Sequence, residues 1–325
     1  MEIDFKSNFS GNILSMLNFR KSMGFSTETY IQQFKTFDKY CYENFPVETE
    51  LNENVVLGWL RTDILGVNVL NQRASFIRMF GKYLASIGEQ AYILPEKFIS
   101  PQKQYTPYIL SDDELKRLFA AIDSYPQNGR LDPLQPALFS TIFRLIYTCG
   151  LRPGEARTLR CENVNLDTGE IVIKETKKHK DRIVVMSEDM TSLMKEYFAL
   201  KNVFHPNNSY CFPSKSGKAY SVNMLNWHFK NFIKQLYSDL NENEIPNIRI
   251  YDLRHRFATA VMIKWINEKR DLYGALPYLS AYMGHAHFSA TAYYIHLLPD
   301  NLKESDAINW KAMGEIVPEV IPWKE

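Results

Sequence analysis

The sequence predicts a mainly α-helical protein of two domains that also carries one small antiparallel β-sheet. Helical spacing of apolar residues over most of the chain, one pair of short β-branched runs and a proline-punctuated stretch near residue 100 support this fold class. The chain has 325 residues, of which 45% are hydrophobic and 23% charged, an ordinary balance for a globular protein. At roughly 100–200 residues per domain, this length indicates two domains.

The first hundred residues predict four helices, because apolar side chains recur there at three- and four-residue spacing in four segments. These segments are Ile13–Leu17, Ile31–Phe45, Asn54–Leu60 and Phe76–Ile87. Three basic residues, Arg73, Arg78 and Lys82, lie largely off the apolar stripe of the last segment. We interpret residues 1–100 as one helical domain.

Prolines at 95, 101 and 107 interrupt a stretch without periodicity, so we assign residues 101–107 as a linker and residues 108–325 as the second domain. A capping box from Ser111 to Glu114 predicts the first helix of that domain. An apolar helix is predicted from Leu134 to Thr148, with Gly150 at its end.

Two β-branched runs, Gly169–Lys174 and Arg182–Met186, predict a β-hairpin. Helices resume from Ser187, and residues 301–313 carry a broken apolar pattern that we interpret as a C-terminal tail helix.

Basic charge is concentrated in the centre of the chain. The formal net charge is only +1, but residues 150–260 carry 17 Lys and Arg against 13 Asp and Glu. The density is greatest in Lys174–Arg182, at the predicted hairpin tip. Such a segment is either a solvated hairpin tip or a contact with phosphate groups.

Several classes of protein are excluded by the sequence. No stretch is long and apolar enough for a transmembrane helix, and the N-terminus does not have the pattern of a signal peptide. The four cysteines lie far apart without a CxxC pair, so neither a disulfide framework nor a thiolate zinc site is expected. These features favour a cytoplasmic protein.

Four clusters of residues in the second domain carry the chemistry. They are Gly150-Leu-Arg152-Pro-Gly-Glu155, the segment Lys177–Arg182, Tyr251-Asp252-Leu-Arg254-His255, and Gly284-His285 followed by Tyr294. Each cluster alone has an ordinary structural explanation, such as a helix cap, a surface hairpin or a core tyrosine. The pair His285 and His287 lacks a third ligand and is a weak candidate for a metal site.

Taken together and in this order, the clusters resemble the tyrosine recombinase (phage integrase) family. That family carries GLRxxE, a hairpin lysine, HxLRH, and GH with a tyrosine nine residues beyond the histidine. The resemblance covers about residues 108–300. The helical residues 1–100 are similar to the core-binding (SAM-like) DNA-binding domain of the family in pattern and position.

The resemblance implies a site-specific DNA recombinase of the integrase or transposase type, acting through a 3′-phosphotyrosyl intermediate and a Holliday junction. Tyr294 would be the nucleophile, Arg152 and Arg254 would bind the phosphate oxygens, and Lys177 would be the general acid. His285 would bind the phosphate or assist proton transfer. Glu155 and Asp252 are expected to orient the arginines and not to react themselves, and no metal or organic cofactor is expected.

One residue departs from the family pattern. Tyr251 stands where the family has a histidine, and a phenol with a pKa near 10 is a poor proton acceptor at neutral pH. We expect Tyr251 to keep a phosphate contact while another residue acts as the general base.

The expected partner is double-stranded DNA with specific recombination sites, bound as a homotetramer on paired sites, with accessory or partner recombinases. The basic residues expected to touch DNA are Arg73, Arg78, Lys82, Lys178, Lys180 and Arg182. Two alternatives stay open at this point: a topoisomerase-like or telomere-resolving relative, and a DNA-binding protein that has lost catalysis.

Overall fold

The computed structural model describes residues 4–62, 66–98, 105–125, 133–174 and 181–298. By the contacts within it, the chain divides into two compact units, Met1–Tyr105 and Thr106–Glu325. None of the helices in the described ranges is both long and apolar enough to cross a membrane.

Within its described residues the first unit contains four α-helices, as the apolar spacing predicts, and a 3-10 helix, Glu96–Phe98, follows them. The α-helices are α1 (Ser10–Ser22), α2 (Glu28–Asn44), α3 (Glu53–Leu60) and α4 (Val67–Ser86). Their buried faces meet in an aromatic core in which the Phe34 ring packs edge-on against Phe76 and Phe80. Asp38 ties the N-terminal segment to α2, because its carboxylate accepts hydrogen bonds from the backbone of Lys6 and Ser7.

In the part that the structure describes, the second unit is helical with one two-stranded antiparallel sheet, which confirms the predicted fold class. Its helices are α5 (Asp112–Asp123), α6 (Gln135–Cys149), α7 (Pro153–Arg157), α8 (Glu188–Phe204), α9 (Val222–Leu236), α10 (Ile250–Asn267), α11 (Leu272–Met283) and α12 (Ser289–Ala292). The strands are β1 (Glu170–Ile173) and β2 (Arg182–Val185), paired from Glu170 opposite Val185 to Ile173 opposite Arg182.

Local sequence signals set the ends of several of these elements. The Ser111 hydroxyl accepts a hydrogen bond from the Glu114 backbone and the Glu114 carboxylate accepts one from the Ser111 backbone, which completes the capping box of α5. Gly150 ends α6 with φ of 61°, in the left-handed region. A Cβ at this position would lie 2.4 Å from the Phe257 ring, so the turn also requires the absence of a side chain.

The segment that carries Tyr294 is helical in two short parts. The α-helical part, α12, has four residues, and a 3-10 helix, Tyr293–Leu297, follows it directly. Leu298 then adopts extended backbone with ψ of 147°. Leu298 precedes Pro299 in the sequence, and a residue before proline avoids the α region. The helix therefore ends at Leu297.

Candidate active site

Arg152 sits at the start of α7, just after the turn that ends α6. Its backbone N–H donates to Glu155 Oε2 over 2.8 Å, and its guanidinium Nη1 donates to Glu155 Oε1 over 2.7 Å. The Nη2 atom of Arg152 also donates to the carbonyl of Gly284, which follows α11. This short helix thus fixes Arg152 against the turn that precedes His285.

Arg254 lies on α10 and is fully buried. Its Nη1 donates to the Gly150 carbonyl and its Nη2 to the Met283 carbonyl, both over 2.6 Å. These bonds use two of the five N–H donors of the guanidinium. The Nε atom is buried and has no hydrogen-bond partner within the described part of the chain. Arg254 therefore joins the ends of α6 and α11 and keeps donors for a further acceptor.

Glu155 connects Arg152 to the base of the hairpin. Its carboxylate accepts two hydrogen bonds from Arg182, of 2.9 and 2.7 Å, in addition to those from Arg152. Burial alone would raise the pKa of Glu155, but the bonds from Arg182 and Arg152 hold it below the ordinary value. The carboxylate stays charged at neutral pH and binds both Arg152 and Arg182.

Tyr294 is buried in the core formed by α10, α11 and α12, and only 2% of it is exposed. Burial raises the pKa of its phenol to about 12, and the nearby Arg254 opposes that shift. Its neighbour Tyr293 points elsewhere and places its ring 6.1 Å from that of His296. Of these two adjacent tyrosines, Tyr294 is the one that faces the arginines.

His285 follows the turn at Gly284 and packs face to face with Tyr294, with ring centroids 6.0 Å apart and planes at 28°. Its Nδ1 lies 2.6 Å from the hydroxyl oxygen of the buried Thr291. Burial first, and then Arg254 and Arg152, lower the pKa of His285 to about 3. The ring is therefore neutral in the DNA-free protein, and the Thr291 contact sets its orientation.

Tyr251 and His255 lie one turn apart on α10, with ring centroids 5.0 Å apart. Tyr251 is partly exposed, and the Arg254 guanidinium lies 6.0 Å from the centre of its ring. His255 reaches the nucleophile candidate, since its Nδ1 lies 3.1 Å from the Tyr294 hydroxyl oxygen. His255 belongs to the third cluster of the sequence, but spacing alone does not show which histidine contacts the tyrosine, so its role is not evident without the structure.

The basic residues predicted to act on or contact DNA lie in different environments. Lys177, Lys178 and Lys180 lie outside the described residues. Arg78 is buried and donates to the carbonyls of Leu94 and Pro95 over 2.7 and 2.8 Å.

Arg182 is held by Glu155 and by the Tyr282 carbonyl. Arg73 stacks over the Trp59 ring at 5.1 Å, whereas Lys82 is exposed on α4. We therefore leave Arg78 and Arg182 out of the DNA-contacting set.

No group of three or more His, Cys, Asp or Glu side chains suited to a metal ion occurs within the described ranges. His285 is turned toward Thr291, and His287 is exposed.

Comparisons with known proteins agree with the geometry. The putative integrase/recombinase y4rB of Sinorhizobium fredii (strain NBRC 101917 / NGR234) is 28% identical over 238 residues, covering 72% of this chain and 75% of the relative. Tyrosine recombinase XerC of Escherichia coli O127:H6 (strain E2348/69 / EPEC) is 27% identical over 291 residues, covering 87% of this chain and 86% of the relative.

The same fold occurs in solved structures. The Tn1549 transposon integrase in complex with transposon right end DNA superposes with a TM-score of 0.62 at 12% identity, covering 94% of this chain and 98% of that one. The XerH site-specific recombinase bound to palindromic difH substrate gives 0.60 at 22% identity, covering 87% and 79%. The phage integrase family matches residues 109–300, more than half of the sequence and the part that holds all four clusters. The chain belongs to the phage integrase family of tyrosine recombinases.

Proposed function

We propose that this recombinase cuts and rejoins DNA through Tyr294, with Arg152 and Arg254 binding the scissile phosphate. The observation that carries the proposal is the convergence of both guanidinium groups on one turn. Arg254 binds the Met283 carbonyl and Arg152 binds the Gly284 carbonyl, directly before His285. Tyr294 packs against His285 at that turn.

The two arginines supply what a phosphodiester needs for substitution. Its nonbridging oxygens carry negative charge that repels a nucleophile and grows in the transition state. Paired, charge-assisted hydrogen bonds from two positioned guanidinium groups stabilise that charge. The Nε of Arg254 is an N–H donor in a buried position, where such a bond is strongest.

Covalent catalysis by Tyr294 lets the enzyme rejoin the strand without an energy source. The tyrosine oxygen forms a bond to phosphorus as the 5′-oxygen of the next nucleotide leaves, and the phosphotyrosyl ester keeps the bond energy for religation. Lys177 is the proposed general acid that protonates the leaving 5′-oxygen. His285 is proposed to contact the phosphate through its Nε2, because Thr291 occupies its Nδ1. Tyr251 is proposed to contribute a further phosphate contact.

The substrate is proposed to be double-stranded DNA carrying specific sites, contacted by both units of the chain. Residues 1–100 would contact the duplex through Lys82 and Arg73, and residues 108–325 through Lys178 and Lys180. The reaction would take place in the cytoplasm. Exchange of strands between two duplexes would require a homotetramer on paired sites, with accessory or partner recombinases where the sites differ. The biological act would be the integration, excision, transposition or inversion of a DNA segment, or the resolution of a DNA dimer.

The alternatives drawn from the sequence receive less support. DNA binding alone does not require a buried phenol such as that of Tyr294, which lies between two histidines and is faced by two arginines. The relative XerC is named as a recombinase, which favours strand exchange over relaxation of supercoils.

The test is capture of the covalent intermediate. Sites selected by the protein from a random-sequence duplex pool are rebuilt with a nick beside the cleavage position, so that the cleaved fragment diffuses away. Wild-type protein should accumulate a covalent adduct, and Tyr294→Phe should form none while still binding the duplex. Tyr293→Phe is the matched control and should form the adduct. Loss of the adduct in Tyr293→Phe with retention in Tyr294→Phe would refute the assignment.

A further inference from the structure

The contact between His255 and Tyr294 is not explained by the roles assigned above. His255 follows Arg254 directly on α10, and its Nδ1 lies 3.1 Å from the phenolic oxygen. The two ring planes are tilted by 58°, so the imidazole meets the hydroxyl group and does not stack on the tyrosine ring. This is the geometry of a hydrogen bond to the atom that would attack phosphorus.

The protonation states of Tyr294 and His255 indicate which of the two groups donates this hydrogen bond. Burial raises the pKa of Tyr294 to about 12, so the phenol keeps its proton at neutral pH. Burial first, and the charge of Arg254 second, lower the pKa of His255 to about 4, so its imidazole is neutral. A neutral imidazole has one nitrogen that accepts a hydrogen bond. Because the Arg254 cation faces the phenolic oxygen, the phenol proton is favoured to point away from it, toward Nδ1.

Other groups near the phenol are less suited to accept its proton. His285 lies face to face with the tyrosine ring, and its Nδ1 is bound to Thr291. Tyr251 carries a phenol of its own, which is a weak acceptor at neutral pH. The Tyr294 hydroxyl is hydrogen-bonded to His255, whose neutral imidazole can take up a proton, whereas the neighbouring Arg254 is already charged and can only donate.

Resting on the proposed function, we infer that His255 is the general base for Tyr294 and carries out the step that the substituted position 251 cannot. As the tyrosine oxygen bonds to phosphorus, its proton passes to His255 Nδ1 and the bond from phosphorus to the 5′-oxygen breaks. The leaving 5′-oxygen takes a proton from the general acid. In religation the steps reverse: the 5′-hydroxyl gives its proton to the deprotonated general acid and attacks phosphorus, the bond from phosphorus to the tyrosine oxygen breaks, and that oxygen recovers its proton from His255.

The charges around His255 change when DNA binds. In the free site it is faced by the cation of Arg254 and by the uncharged side chains of Tyr251, Tyr294 and His285, a set of neighbours that keeps it neutral. A phosphate held by Arg152 and Arg254 brings negative charge close to the imidazole. An adjacent negative charge raises the pKa of a histidine, so the substrate itself makes His255 a stronger base.

The test uses full-length protein and compares two substitutions at one position. His255→Asn places an amide oxygen close to the site of Nδ1, where it accepts the phenol hydrogen bond but cannot take the proton. His255→Ala removes the group and leaves space for imidazole from solution. His205→Asn, at the end of α8 and away from the site, is the matched control. Single-turnover adduct formation, duplex binding and thermal unfolding are measured for each.

We expect wild type and His205→Asn to form the Tyr294 adduct at equal rates. Both His255 variants should bind DNA but react about 10²–10⁴-fold more slowly, the range of general-base catalysis. Added imidazole should accelerate His255→Ala, and the deficit of His255→Asn should shrink as pH rises, because phenolate then forms without a base.

Two results would overturn the inference. A rate for His255→Asn near that of wild type would show that the hydrogen bond only positions Tyr294. Slow variants that neither imidazole nor higher pH accelerates would show a purely structural role. Absence of any adduct with the wild-type protein would instead refute the proposed function, and the inference with it.

Discussion

Glu155 holds the guanidinium of Arg182 through two hydrogen bonds, of 2.9 and 2.7 Å. Arg182 is the first residue of β2, and its side chain is largely buried. Because the same carboxylate also binds Arg152, one ion-pair network connects the base of the hairpin to an arginine of the proposed phosphate site. The start of β2 is thus anchored by the residue that also orients Arg152.

The first prediction concerns this network. Glu155→Gln removes the charge that compensates two arginines, one of them buried, while keeping a side chain of the same shape. Hydrogen bonds to charged groups contribute about 1.5–3 kcal/mol each, so we expect the free energy of unfolding to fall by about 2 kcal/mol. Urea denaturation measures the change, and Glu162→Gln, exposed just after α7, is the control.

The effect of Glu155 should depend on pH in a defined direction. Its pKa is lower in the folded protein than in the unfolded chain, where it is about 4.3. The stabilisation is therefore fully present above that value and is lost as pH falls through the lower folded pKa. The difference between wild type and Glu155→Gln should be constant near neutral pH and shrink in acid. A difference that grows as pH falls would contradict this account.

The second prediction concerns the phosphate site. Arg152→Lys keeps the positive charge but replaces a planar fork with a point charge, which cannot bind Glu155, the Gly284 carbonyl and a phosphate together. We expect adduct formation to slow by about 10²–10³-fold, with duplex binding reduced much less. Arg160→Lys is the control, since Arg160 stacks over Tyr210 away from the site. Equal losses in both variants would indicate a general effect of removing guanidinium groups.

Much of the fold could be predicted because its signals are local. The Ser111 capping box, the glycine that ends α6 and the β-branched runs of the hairpin each act within a few residues, and all three are in the structure. The order of the four clusters along the sequence likewise indicates the family without any tertiary structure.

The individual roles of some basic residues could not be predicted in this way. Arg78 lies off the apolar stripe of α4, yet it is buried, because its guanidinium donates hydrogen bonds to the carbonyl groups of Leu94 and Pro95. Arg182, which the sequence predicts to contact DNA, pairs with Glu155, 27 residues earlier in the chain. His255 touches Tyr294 only because α10 and the 3-10 helix pack together. Such contacts depend on tertiary packing, which periodicity does not encode.

The third prediction tests whether the N-terminal unit contacts DNA. Lys82 is exposed on α4, so it is able to reach a phosphate, unlike the buried Arg78. If Lys82 binds one phosphate, Lys82→Ala should reduce the slope of log K against log salt by about 0.9. Fluorescence anisotropy at several salt concentrations gives the slope. Lys39→Ala, also exposed, on α2, is the control, and an unchanged slope for Lys82→Ala would exclude this contact.

The fourth prediction concerns metal ions. The guanidinium groups of Arg152 and Arg254 provide positive charge at the phosphate, the contribution that a metal ion makes in other phosphoryl-transfer sites. We therefore expect covalent cleavage of the nicked duplex to proceed in the presence of EDTA at an unchanged rate. A strict requirement for magnesium at the cleavage step would contradict the proposed roles of the two arginines.

The last prediction concerns the turn that places Arg254. Gly150 has φ of 61°, and a Cβ there would lie 2.4 Å from the Phe257 ring, so Gly150→Ala adds backbone strain and a steric clash together. Left-handed backbone costs about 1–2 kcal/mol for a residue with a side chain, and overpacking costs about 1–3 kcal/mol, so the free energy of unfolding should fall by about 2–5 kcal/mol. The Gly150 carbonyl accepts from Arg254, and its displacement should also slow adduct formation.

Gly154→Ala provides the matched control for this turn. Gly154 lies four residues away within α7, a methyl group added to its Cα would meet no atom within 4 Å, and its backbone is not left-handed. Alanine favours a helix over glycine by up to about 1 kcal/mol, so this variant should be as stable as wild type or slightly more stable. Thermal unfolding and single-turnover cleavage of both variants decide the matter. If Gly150→Ala unfolds like wild type and cleaves at the normal rate, the turn does not position Arg254.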